Sequence, residues 1–270
     1  MEETMMESLE TTHVSLPPLQ WNLSSNVLCN YMKEQSYLDL ILKNRAIIPR
    51  YVIEPVKYLA IDGLDQICFP MTCFCDIPFS KVSVHMSRYG EYGIGLDKEA
   101  VLKKYHVQPV HYMNPDSPLA IDFKEAFCKF YKTDKKLSGD AHTLVNYLAS
   151  TLMYMKPIWG IEAGTNESYV YQDECEWRYI PSNNFPENLH LILKQAETTE
   201  IGKNTYSAVL KSHPECWLAF EWAEVQYIIV PNEVAVRNTI HTLLSLSLEE
   251  EEKHKLISKI EISRRFSENM

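Results

Sequence analysis

The sequence predicts an α+β fold, a mixed or antiparallel central sheet with helices packed around it. Three observations carry this. Apolar runs of strand length alternate along the chain with stretches of helical period. The links between successive strands are too short for repeated βαβ crossovers. At 46% hydrophobic and 23% charged, the composition is that of an ordinary globular chain, with no internal repeat or low-complexity tract.

Residues 1–20 carry no usable periodicity and end in Pro17-Pro18, so a flexible leader is expected there, followed by one α+β domain over 21–270. LDLILKNRAIIPRY places apolar residues at helical spacing and halts at Pro49, which predicts a helix followed by an extended segment. ICFPMTCFCDIPF is rich in aromatic and β-propensity residues, a strand with Pro70 and Pro78 marking its ends. SKVSVHMSRYG reads as a short helix stopped by Gly90. YGIGL is a strand whose two glycines signal a close approach to the backbone. DKEAVLKKYH is a short amphipathic helix and VQPVHYM a strand. From Phe123 to Met155 the pattern is helical with a polar break at TDKKLSGD. ESYVYQDECEWRYIP alternates as one strand, WAEVQYIIVP is a late strand, and the chain from about Val234 onward is helical.

A net charge of −10 argues against a broad nucleic-acid footprint, which needs a basic face, although a small basic cleft is compatible with it. The run LEEEEKHK reads as a solvated helix face. No run approaches the roughly 18 apolar residues of a membrane span, and MEETMMESLETT lacks the basic start and apolar core of a signal peptide. A cytoplasmic protein without membrane contact is expected. Seven scattered cysteines, mostly inside apolar strings such as AFCKF and ECWLAF, read as reduced and buried.

Strand alternation in the ECEWR region would set Gln172, Glu174, Glu176 and Arg178 on one face. Two glutamates so close repel unless a positive group sits between them or one is protonated. Such a pair beside an arginine suits acid/base or cation-stabilising chemistry, with Glu176 and Glu174 as the catalytic candidates. The bland alternative is a solvent-facing stripe with Glu176 and Arg178 as a surface ion pair. Cys68, Cys73 and Cys75, with His85 and His106, lack the spacing of a compact zinc site, so no metal is expected. His85 and Tyr89 share a helix face beside Arg88, and could present an imidazole and a phenol to a ligand approaching the glycine strand. Arg50 and Tyr51 form a third cluster. There the arginine suits phosphate or carboxylate, with Glu54 as its ordinary surface partner. Neither a Rossmann nor a phosphate-loop pattern occurs, and no serine nucleophile elbow.

The strings NRAIIPRYVIE, FPMTCFCDIPFS, HMSRYGEYGIGLDKE, QPVHYM and ECEWR, in this order, resemble the AbiGi-type family of abortive-infection (phage-resistance) proteins over roughly residues 28–180. The most specific part is CFCDIPFS followed by HMSRYGEYGIGLDKE. Asn30 stands where the family's opening usually has a histidine. The resemblance implies a bacterial or phage-borne defence protein acting beside a cognate toxin or antitoxin, or with a chaperone. Members are commonly labelled antitoxins. A looser similarity is to ADP-ribosyltransferase-like toxins, some of which modify nucleic acid. It implies NAD as substrate, Glu176 and Glu174 as carboxylates near the ribose, and Asn30, Arg50, Tyr51, His85, Arg88, Tyr89 and Tyr92 as candidate NAD contacts. On that reading the target is nucleic acid or protein. The alternative is a non-enzymatic antitoxin or phage-sensing binding module.

Overall fold

The computed structural model describes residues 24–131, 139–161, 167–181 and 185–268. The expected leader over 1–20 and the polar break after Tyr131 fall outside, or largely outside, these residues.

Strand β1 (Val27–Met32) leads into helix α1 (Gln35–Asn44), which buries Leu38, Ile41 and Leu42 and ends on Arg45 in the left-handed region, four residues ahead of Pro49. After β2 (Ala46–Ile47), strand β3 (Arg50–Pro55) pairs antiparallel along the first half of the ten-residue β4 (Gln66–Cys75). Pro70, expected at a strand end, lies inside β4. Its β3 partner Tyr51 turns its own N–H outward to Ser207 Oγ. On the other edge β11 (introduced below) has already ended opposite Thr72, so the missing proline donor breaks no ladder.

Helix α2 (Ser83–Tyr89) stops at Gly90, as the sequence predicts, and β5 (Tyr92–Asp97) follows. Neighbouring strands approach the glycines of β5 closely. A Cβ on Gly95 would sit 2.7 Å from Val27 Cγ1, and one on Gly93 would sit 3.0 Å from the Tyr31 ring. Asp97 caps α3 (Lys98–Tyr105) by accepting from Ala100 N–H. The predicted strand VQPVHYM divides into β6 (Gln108–Pro109) and β7 (His111–Met113), which join different sheets.

Helices α4 (Pro118–Tyr131) and α5 (Asp140–Met153) precede β8 (Met155–Pro157), which pairs parallel with β7. A hairpin of β9 (Trp159–Ile161) and β10 (Ser168–Val170) comes next. The single strand expected across ESYVYQDECEWRYIP is interrupted. Tyr171–Glu174 forms a 3-10 turn, Cys175 takes φ 43°, and only Glu176–Tyr179 forms β11. After α6 (Glu200–Leu210) and β12 (Leu218–Ala219), β13 (Val225–Val230) is the predicted late strand. The helical C-terminal part holds α7 (Glu233–Leu244), α8 (Glu250–Ile257) and α9 (Arg265–Glu268). It also holds one strand the sequence pattern did not signal, β14 (Ile260–Ile262), parallel to β13.

The main sheet runs β14-β13-β5-β1-β4-β11-β6, with β3 also on β4. It is mixed and mostly antiparallel, and helices cover both faces, in agreement with the predicted class. Side chains of β4 alternate: Ile67, Phe69 and Met71 enter a core with α4 and α5, whereas Phe74 enters one with α1, α3, α7 and α8. Burying these two apolar faces is the main force that closes the layers. Cys29, Cys68, Cys75 and Cys216 are buried, as expected, whereas Cys128 and Cys175 are exposed.

Strands β1 and β3 share one edge of β4 but do not meet. β3 ends with Arg50 opposite Met71, while β1 touches β4 only at Cys29 opposite Cys75. In the fork between them the amide of Asn30 donates to the carbonyl of Cys73 at 2.8 Å, so a side chain supplies the bond that the parted backbones cannot.

Candidate functional site

The interruption of the ECEWR strand builds the site. Cys175 in the left-handed region swings Glu174 out of register, yet Glu174 and Glu176 still converge on one cation, Lys156 of β8. The Lys156 ammonium donates to Glu174 Oε2 at 2.5 Å and Glu176 Oε2 at 2.9 Å. This is the positive group that two such close carboxylates require. The bland alternative of a surface ion pair is overturned, because Arg178 is fully buried and Glu176 is 6% exposed. Arg178 Nε donates to Glu176 Oε1 and Nη2 to Glu54 Oε2, each at 2.7 Å, and Nη1 donates to the Met153 carbonyl. Glu54, read from the sequence as the partner of Arg50, thus serves Arg178 instead. The result is an alternating string, Glu54–Arg178–Glu176–Lys156–Glu174, that ends on the Tyr89 hydroxyl, which donates to Glu174 Oε1 at 2.6 Å. Tyr112 accepts from the Glu176 N–H at 2.7 Å.

Burial on its own would raise the Glu176 carboxyl, but Arg178 and Lys156 outweigh it and hold the group well below the ordinary carboxylate range. Burial would likewise lower Lys156, but Glu176, Glu54 and Glu174 keep it charged. Burial, reinforced by Glu174, keeps the Tyr89 phenol protonated. His85 goes the other way: burial lowers it to about 4, despite Glu174 and Glu176 pulling upward. Its ring lies 4.5 Å from that of Tyr89 and 5.7 Å from that of Tyr31, and its Nδ1 is buried with no hydrogen-bond partner among the described residues. Arg88 stacks its guanidinium 3.5 Å over the Tyr169 ring.

Of the residues singled out from the sequence, Glu174, Glu176, His85 and Tyr89 come together, with Arg88 beside them. The others do not join this group. Asn30 and Arg50 line a cleft at the fork between β1 and β3. Tyr51 points into another part of the core, where its hydroxyl donates to the His190 carbonyl at 2.7 Å. Tyr92 lines a separate pocket with Lys33 and Arg264. Lys156 and Tyr112 were missed, and Glu54 was assigned to Arg50 instead of Arg178. Only the charge argument at ECEWR pointed to a cation, and nothing in the string YMKPIW marked Lys156 as that cation. Among the described residues no group of three or more His, Cys, Asp or Glu side chains is placed to hold a metal ion.

The family model described as "Putative abortive phage resistance protein AbiGi, antitoxin" matches residues 45–231, which include every member of the charged string. A protein of Lactococcus lactis subsp. cremoris, "Abortive phage resistance protein AbiGi", is 28% identical over 241 residues, 80% of this chain and 96% of that protein. No solved structure matches. No described helix is long and apolar enough to cross a membrane. The chain belongs to the AbiGi family of abortive phage resistance proteins.

Proposed function

We propose that the chain serves anti-phage defence by binding, as the antitoxin of a defence module that restrains a cognate toxin. One observation carries this reading: all four carboxylate oxygens of Glu174 and Glu176 already accept from Lys156, Arg178 or Tyr89. Departure of nicotinamide from NAD leaves oxocarbenium character at the ribose, which calls for a carboxylate with charge to spare. A carboxylate already neutralised on both sides by buried cations has little to offer it. The family's description as an antitoxin supports the same reading.

The β9–β10 hairpin supplies a suitable surface. Trp159 and Val170 are direct cross-strand partners and share a face with Ile161, and all three are exposed. The opposite face packs Gly160 against Tyr171, and Tyr169 lies under Arg88.

The second reading is an NAD-consuming transferase acting on nucleic acid or protein through Glu176 and Glu174. It is favoured by the convergence of these carboxylates with His85 and Tyr89. One experiment separates the two. The chain is co-expressed with toxic proteins encoded beside it, and in parallel the purified chain is incubated with NAD and RNA, DNA and protein acceptors. Rescue of growth and co-purification with one toxin, without NAD loss, is expected. NAD consumption by the wild type that disappears in a folded Glu176→Gln variant would overturn the antitoxin reading.

A further inference from the structure

The fork between β1 and β3 opens into a cleft of about 450 Å³, within the range of small-molecule sites. None of the residues of the charged string lines it. Its lining combines three chemistries. Ile47, Ile48, Val52 and Met71 make an aliphatic wall, with the half-exposed ring of Tyr37 nearby. Arg50 and Lys211, both exposed, bring two positive charges, and neither has a carboxylate partner among the described residues. Deeper in, Thr72 is only 5% exposed; its hydroxyl is enclosed by protein and has no hydrogen-bond partner among the described residues. Asn30 also lines the cleft. One of its two amide N–H groups is committed to Cys73, and its oxygen accepts no hydrogen bond among the described residues.

The open amide oxygen of Asn30 favours a ligand that brings a donor to it. Inorganic phosphate would satisfy the cations but leave the apolar wall unfilled. A fatty acid would fill the wall but leave Asn30 unpaired. A ligand with a flat ring, a polar edge and one anionic end answers all three features. We propose that the cleft binds a nucleoside monophosphate, with its base along the aliphatic wall, its polar edge towards Asn30, and its phosphate held by Arg50 and Lys211. The proposal is independent of the antitoxin reading, because it involves neither the charged string nor the β9–β10 face.

Titration calorimetry on the full chain tests it, with adenosine and uridine 5′-monophosphates, adenosine and inorganic phosphate as probes. At least one monophosphate should bind about tenfold more tightly than adenosine or inorganic phosphate. The double variant Arg50→Ala/Lys211→Ala alters only exposed side chains, so it should fold normally and lose about tenfold or more in affinity. The proposal is overturned by no saturable binding of either monophosphate at millimolar concentration. Equal affinity for adenosine, or affinity unchanged in the double variant, overturns it as well.

Discussion

At Glu176 the carboxylate stays charged inside the protein only because Arg178 and Lys156 flank it. Glu176→Gln removes the central anion and leaves two buried cations with Glu54 and Glu174 alone. Breaking a buried pair in this way costs about 3–5 kcal/mol. A denaturant titration should therefore show a large drop in the unfolding midpoint, and a midpoint equal to wild type would contradict the string as described. His85 gives a pH dependence of definite sign. Its folded value of about 4 lies below the ordinary 6.5, so the unfolded chain takes up the proton first. The stability that its neutral ring contributes is full above about pH 6.5 and is lost as pH falls towards 4, on the order of 3 kcal/mol at the acid end. Glu174 and Glu176 oppose this shift from β11 and the turn before it, Lys156 from β8 and Arg88 from α2 reinforce it, and Tyr31 and Tyr89 contribute rings. His85→Phe should flatten the loss between pH 6.5 and 4 in thermal melts. An unchanged slope would show that other groups carry it. At this scale the sequence was informative where charges crowd: ECEWR by itself called for either a cation between its glutamates or a protonated carboxylate. It could not name Lys156, because that contact joins strands with no shared pattern.

Helix α2 ends where the sequence indicated, and the reason is steric. Gly90 has φ 114° and ψ 163°, and a Cβ there would fall 2.1 Å from the Met32 carbonyl oxygen. Gly90→Ala combines a backbone region almost closed to other residues with a clash against main chain, so a loss of more than about 2 kcal/mol is expected in equilibrium unfolding. A neutral effect would mean that the β1–α2 contact relaxes freely. Elements that depend on pairing were harder to read. β14 is three residues long and exists because β13 offers an edge. The 3-10 turn at Tyr171–Glu174 breaks an alternation that looked continuous, since the ion pair of Glu174 with Lys156 and its hydrogen bond from Tyr89 outweigh the local strand preference of Tyr and Val. The glycines of β5 were rightly read as a close approach, but what approaches is the next strand.

Over the whole molecule, the class of fold was legible because alternation and short links are global properties of the chain. The grouping of the candidate site was legible only in part. Arg50 and Tyr51 are near Glu54 of the charged string in sequence, but strand alternation and the fork send them, like Asn30, elsewhere. The antitoxin reading makes a prediction at this scale. Trp159→Asp replaces a half-exposed ring on the hairpin's outer face, so the fold should persist while toxin capture falls about tenfold or more. Pull-down against the cognate toxin measures it, and undiminished capture would place the partner on a different surface.

The fork between β1 and β3 also divides the molecule's cohesion. β1, β5 and β13 draw on the core with α1 and α7, and β3 and the first half of β4 draw on the core with α4 and α5. Along that edge of β4 the two groups are joined by one Cys29–Cys75 pairing and one asparagine amide. Amide hydrogen exchange should then sort the sheet into two cooperative units of different opening free energy, with the boundary at Thr72–Phe74. Anything lodged in the cleft would stitch that boundary and bring the two protection levels together.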